Sequence, residues 1–194
     1  MLAGLFPTRG STKRLRAYYR ERLTVINFDE LLLRLHQESD RAKIILLSSI
    51  LDDLLEYRLS KRIKPSINTE QTDYLFRFEG PLGTFSSRIE LGYAFGFIEP
   101  DIASQLNTIR EMRNACAHSK FVLSFDNEEL RNVAKHMFKP SGLFYPLTDD
   151  AAGFRQAFLA EMPPMFFTLT YGSRRKAIAL LRRKHLSRNL DLVS

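Results

Sequence analysis

The chain is 194 residues long, 44% apolar and 26% charged, a composition that describes one globular domain able to bury its core without covalent staples. Its lone cysteine, Cys116, excludes an intrachain disulfide. Four scattered histidines, with no Cys-x-x-Cys or His-x-x-x-His pair, argue against a structural zinc site. No apolar run approaches the roughly 18 residues that cross a bilayer, and Met1 to Pro7 lacks the layout of a signal peptide. The expectation is a cytoplasmic protein with no membrane partner, and no motif asks for a metal or other cofactor.

The net charge of +7 is concentrated at the two ends. Residues 1–22 carry six Lys/Arg against one acid and residues 174–194 carry seven against one, which leaves the body mildly acidic. Basic arms suit RNA or DNA, where released counterions drive binding, and they suit an acidic protein partner equally well. The organisation read from this is a basic arm over 1–25, a helical domain over 26–172 and a basic helix or tail over 173–194. Arg174, Arg175, Lys176, Arg182, Arg183 and Lys184 are the candidate nucleic-acid contacts.

In chain order, helical periodicity begins at Phe28, with Asn27 as its cap and Leu31, Leu32 and Leu35 on one face. Ser39 caps the longest helix, which is expected to run to about Ile63 before Pro65 stops it. Its first apolar stripe is Ala42, Ile45, Leu46, Ser49, Ile50, Leu54 and Tyr57. Leu47, Leu51, Leu55 and Leu59 widen that stripe, so the helix should be buried on two sides or lie at an oligomer interface. Ser66 to Glu79 reads as a connector with a short turn near Leu75.

Gly80-Pro81-Leu82-Gly83 is a turn, and Thr84 is the candidate cap of a helix through Phe85, Ile89 and Gly92. Gly92 and Gly96, four apart, would let a neighbouring helix approach closely. Pro100 and Asp101 open the next helix, whose inner face is Ile102, Leu106, Ile109, Met112 and Cys116. Phe121 to Phe125 should be extended. Asp126-x-x-Glu129 is a capping-box pattern for a helix to about Phe138. Thr148 or Asp149 starts a further helix, which Pro163-Pro164 ends or kinks, and Met165 to Tyr171 is equally readable as helix or strand. A basic amphipathic helix then carries Ile178, Leu181 and Leu186 on one face. The class is all-α.

Three clusters invite chemistry. GPLGT resembles a phosphate loop only superficially, because it lacks the Gly-Lys-Ser/Thr ending and no strand precedes it. Cys116 and His118 cannot form a dyad on a helix, since residues two apart point about 200° away from each other. Arg113, Asn114 and His118 differ: Asn114 and His118 share a face at i and i+4, and Arg113 lies beside them. An imidazole exchanging protons near neutrality and a guanidinium holding phosphate charge are what cleavage by a 2′-hydroxyl requires, without a metal. The alternative is that Arg113 and His118 serve the fold, satisfying terminal carbonyls and a carboxylate such as Glu90 or Glu111.

Arg-Asn-x-x-x-His at a helix end resembles the signature of the HEPN superfamily (higher eukaryotes and prokaryotes nucleotide-binding). GPLGTFSSRIELGYAFGFI, IREMRNACAHS and SFDNEEL together resemble the mannitol operon repressor family, which looks related to the same helical superfamily. The likeness spans about Phe28 to Phe138 and leaves both basic arms unmatched. It implies one of two functions. The first is a metal-independent endoribonuclease of toxin or antiphage type, whose homodimer brings two motifs into one composite site. There Arg113 would bind phosphate, Asn114 would orient the site and His118 would act as general base or acid, with RNA as substrate and an antitoxin as a further partner. The second is a non-enzymatic transcriptional regulator acting through DNA or a protein partner.

Overall fold

A computed structural model describes residues 25–62, 69–138, 146 and 148–172. Among these the regular structure is all helix, with no strand, so the all-α expectation holds. The chain divides between Gln37 and Glu38 into two units. The first contains α1 (Val25–Leu35), where Arg34 pairs with Glu30 one turn earlier. The helix starts before Asn27, so that residue lies inside it rather than at its cap.

The second unit contains α2 (Asp40–Ser60), α3 (Thr69–Phe76), α4 (Phe85–Ala94), α5 (Pro100–His118), α6 (Glu128–Phe138) and α7 (Ala151–Tyr171). Helix α2 packs on α4, α5 and α7, and α5 also packs on α4 and α6. Polar ties fix their directions. Arg41, early in α2, donates to the Ser119 carbonyl at the end of α5, and Arg113 of α5 acts on Asp52 further along α2, so these helices run antiparallel. Arg155 reaches Asp40 and Arg58 reaches the Thr168 carbonyl, so α2 and α7 run parallel.

Helix α2 begins as expected, with Ser39 Oγ accepting from the Ala42 N–H at 3.2 Å. Its core face is Ile44, Leu47, Leu51, Leu55 and Leu59, all buried. The other apolar stripe is only partly buried: Leu46 is 45% and Tyr57 43% exposed, and Ile45, Ile50 and Leu54 are half-buried. The neighbouring helices take one side of α2, which corrects the reading that placed the first stripe inwards. The connector also holds more structure than expected, since α3 fills two turns of it.

The glycine-proline turn is built by backbone crowding. Gly80 N–H donates to Arg77 O at 2.8 Å and Leu82 N–H to Leu75 O at 2.8 Å. A Cβ on Gly80 would fall on the Tyr74 carbonyl, and one on Gly83 on the Arg77 carbonyl. Thr84 and Ser87 then form a reciprocal capping box at the start of α4. Helix α4 ends differently from the close-approach reading: Gly96 lies at φ +67° with open space around it. Phe97 N–H donates to Gly92 O and Gly96 N–H to Tyr93 O, the paired bonds of a left-handed helix stop.

Arg88 is the main polar anchor, only 6% exposed. It donates to Asp52 at 2.6 Å, to Glu56 at 2.8 Å and to the Leu82 carbonyl at 2.9 Å, and lies over the Phe76 ring. One side chain thus ties α4 to α2, to the glycine turn and to α3. A second buried tie is Gln105, whose amide donates to Met137 O at 2.9 Å and to the fully buried Glu161 at 2.6 Å, joining α5, α6 and α7.

Helix α6 has no Asp126 cap. Asp126 instead accepts from Ser124 Oγ and from Arg155, while Ser124 N–H donates to Asn127 Oδ1 at 2.9 Å. Helix α7 starts at Asp150, whose carboxylate accepts from Gly153 N–H at 2.8 Å. It runs on through Pro163 and Pro164 to Tyr171. Each proline removes an N–H, yet Phe158, Met162, Met165, Phe166 and Leu169 are all buried around them, and that burial holds the helix together. Gly172 closes it at φ +84°.

Burial holds the Asp52 carboxyl above its ordinary range, against the pull of Arg88 and of Arg113. A raised acid favours the folded state while protonated, so Asp52's own contribution is present below its ordinary value and is lost as pH rises through the raised one. Arg88→Leu should cost about 3–5 kcal/mol in urea unfolding at neutral pH, because two carboxylates lose their cation. That loss should shrink on acidification, as Asp52 protonates. Asp126 and Asp150 are held below the ordinary range, chiefly by hydrogen bonds from Ser124 and from the Gly153 N–H respectively. Their contribution has the opposite sign, present above the ordinary value and lost as pH falls. Gly96→Ala should cost about 1 kcal/mol in the same assay, because an L side chain is strained in the left-handed region.

Candidate functional site

Helix α5 delivers the three candidate residues. Pro100 occupies its first turn, where a missing N–H costs nothing, and Asp101 faces the positive end of the dipole. Ile102, Leu106, Ile109, Met112 and Cys116 are buried along its inner face, as their spacing predicts. Because that stripe continues to Cys116, the last turn is held down, and the helix persists through His118. Ser119 N–H closes it on the Ala115 carbonyl at 3.0 Å.

Asn114 and His118 therefore stand one turn apart on a continuous helix, with Arg113 beside Asn114. Arg113 and Asn114 are half-buried, and His118 is exposed. The two carboxylates that the sequence offers as their partners are engaged elsewhere: Glu111 pairs with Arg110 at 2.6 Å, and Glu90 accepts from Ser86 Oγ at 3.1 Å. Among the described residues, the side chains of Arg113, Asn114 and His118 form no hydrogen bond or ion pair. Arg113's charge is felt by Asp52 across the α2–α5 contact. Among the described residues the motif thus presents an amide and an imidazole with their polar atoms uncommitted, beside a guanidinium that makes no hydrogen bond or ion pair but whose charge acts on Asp52.

Cys116 is fully buried, and burial pushes its thiol up against the smaller pull of Arg41. A buried thiol with a raised pKa is a poor nucleophile. Thr84 spends its hydroxyl on the capping box, so the GPLGT segment is a turn and cap in this fold. Among the described residues no three His, Cys, Asp or Glu side chains converge as metal ligands. An open groove lined by Leu59, Leu82, Leu91, Phe95 and Phe97 carries only the Arg62 guanidinium, which stacks over Phe97. Its described lining presents no acid–base pair.

The candidate contacts Arg174, Arg175, Lys176, Arg182, Arg183 and Lys184 lie outside the described residues, as does the 1–24 arm. No described helix is long and apolar enough to cross a membrane. The anchoring network around the site was not anticipated. Its signal was present in Asp52 and Glu56, two acids one turn apart within an otherwise leucine-rich helix, a pattern that asks for a buried cation. No family model, no curated protein and no solved structure matches this chain.

Proposed function

We propose that the chain is a metal-independent endoribonuclease of HEPN type, toxin- or defence-like, with its Arg113-x4-His118 motif composited at a homodimer interface. The observation that carries this reading is the uncommitted state of the motif: Arg113, Asn114 and His118 share the end of α5 while Glu90 and Glu111 are paired elsewhere. Arg113 and Asn114 are half-buried and His118 is exposed, so the three side chains stay open to a ligand.

In the reaction, the RNA 2′-oxygen attacks the adjacent phosphorus and the bond to the 5′-oxygen breaks. One imidazole takes the 2′-hydroxyl proton, and the other, across the dimer axis, returns a proton to the 5′-oxygen. Arg113 neutralises the charge that builds on the phosphoryl oxygens, and Asn114 orients the site. The products are a 2′,3′-cyclic phosphate and a 5′-hydroxyl. The partly exposed outer face of α2, with Leu46 45% exposed, supports association with a second copy.

The purified protein should cut single-stranded RNA in EDTA, with 2′,3′-cyclic phosphate ends identifiable by mass spectrometry. His118→Ala should lower the rate by about 10²–10⁴-fold, and Arg113→Ala by about 10²–10³-fold. Cleavage that survives His118→Ala removes the site assignment. A protein that never cuts RNA, but binds DNA or a partner independently of both residues, is instead the regulator.

Deleting residues 174–194 should weaken RNA binding and flatten its salt dependence, by about 0.7 in the log–log slope for each phosphate that the tail no longer neutralises. An unchanged slope assigns the tail to a protein partner.

A further inference from the structure

Between His118 and the buried Phe125 the chain makes a loop that is fixed at both ends. At its start, Phe121 N–H donates to Ser119 Oγ at 3.1 Å, and that hydroxyl donates back to Phe121 O at 2.9 Å. Arg41 holds the Ser119 carbonyl at 3.4 Å. At its end, Ser124 N–H is tied to Asn127, and Phe125 N–H donates to Asp40 at 2.9 Å. The Phe125 ring is fully buried against Phe154 and Phe158. The loop so held nevertheless keeps Phe121 81% and Val122 80% exposed.

Single exposed apolar residues are ordinary on protein surfaces. This pair differs in its setting. It begins three residues beyond His118, and the stretch from His118 to Ser124 carries Lys120 and no acid. Arg41 approaches the same loop from α2. A lone ring flanked by cations is the combination that binds single-stranded nucleic acid, where the ring stacks on a base and the cations meet the phosphates. Charged residues are depleted at the centre of protein interfaces, whereas Lys120 adjoins this ring and Arg41 reaches its loop.

We propose that Phe121 is a base-stacking residue for a single RNA strand entering the Arg113–His118 site, with Lys120 meeting an adjacent phosphate. The inference rests on the ribonuclease reading for its ligand and adds to it a subsite and a substrate form. Duplex RNA, whose bases are already stacked, cannot use the ring. The stack is tolerant of sequence, since every base offers a π-face.

The chain contains no tryptophan, so Phe121→Trp places a single indole at the proposed subsite. The test titrates the full-length protein with a 2′-O-methyl RNA strand, which lacks the attacking hydroxyl and reports binding without cleavage. Strand binding should quench the indole of Phe121→Trp, and Phe121→Ala should weaken binding by about tenfold with an unchanged circular dichroism spectrum. An unquenched indole together with wild-type affinity in Phe121→Ala overturns the proposal. So does a Phe121→Ala variant that changes oligomeric state in sedimentation but binds the strand normally, because the ring then belongs to a protein interface. The two readings separate cleanly. Quenching without cleavage of natural RNA leaves the stack standing and removes the nuclease; cleavage with binding and KM indifferent to Phe121 does the reverse.

Discussion

A buried guanidinium sets the frame of this molecule. Arg88 cannot leave water without partners for its charge and donors, and it finds them in Asp52, Glu56, the Leu82 carbonyl and the face of Phe76. Those partners come from α2, the glycine turn and α3, so satisfying one side chain fixes four pieces of chain at once. The crowded turn at Gly80 and Gly83 follows from the same demand, since Leu82 must present its carbonyl inwards. Helix α4 then ends at a left-handed glycine that lets Ile98 fold back beneath Gly92, and α5 departs from there.

The far end of α5 is held by a second charged node. Asp40 accepts from Arg155 of α7 and from the backbone of Phe125, and Arg155 also takes Asp126. Gln105 ties the middle of α5 to α6 and α7 through Met137 and Glu161. Between these anchors α5 has little freedom to unwind, so Asn114 and His118 keep their one-turn spacing up to the last residue of the helix. The loop beyond inherits the same rigidity from Ser119 and Asp40. The last turn of α5 is closed by the Ser119 N–H on the Ala115 carbonyl, and Arg41 holds the Ser119 carbonyl beyond it.

The electrostatics of that end follow from an unequal pairing. Arg88 supplies one cation to two carboxylates, Asp52 and Glu56, and Arg113 acts on the same Asp52 from α5. Glu111 and Glu90, the acids near enough in sequence to quench the motif, are occupied by Arg110 and Ser86. Beyond His118 the loop carries Lys120 and the exposed Phe121, with Arg41 on the Ser119 carbonyl and Asp40 and Asp126 at its far end.

Much of this was legible from residues alone. The spacing of Ile102, Leu106, Ile109, Met112 and Cys116 determined that α5 is a helix and which face it buries, because a 3.6-residue period is a local property of the chain. Ser39 and Thr84 marked their caps for the same reason, and the Arg113–His118 motif could be placed on one helix end. Other features were decided by tertiary packing. Both stripes of α2 are apolar, and only the positions of α4, α5 and α7 determined that Leu47, Leu51 and Leu55 go inwards while Leu46 and Tyr57 do not. Gly96 serves a helix stop rather than a helix crossing because Phe97 and Ile98 turn back on Gly92. Pro163 and Pro164 remain helical because the residues around them are buried, a gain that no local propensity contains. Sequence determined the periods and the caps, which depend on neighbours within a turn. The choice of buried face, the partners of Arg88 and the open end of α5 depend on residues tens of positions apart, so only the assembled fold could decide them.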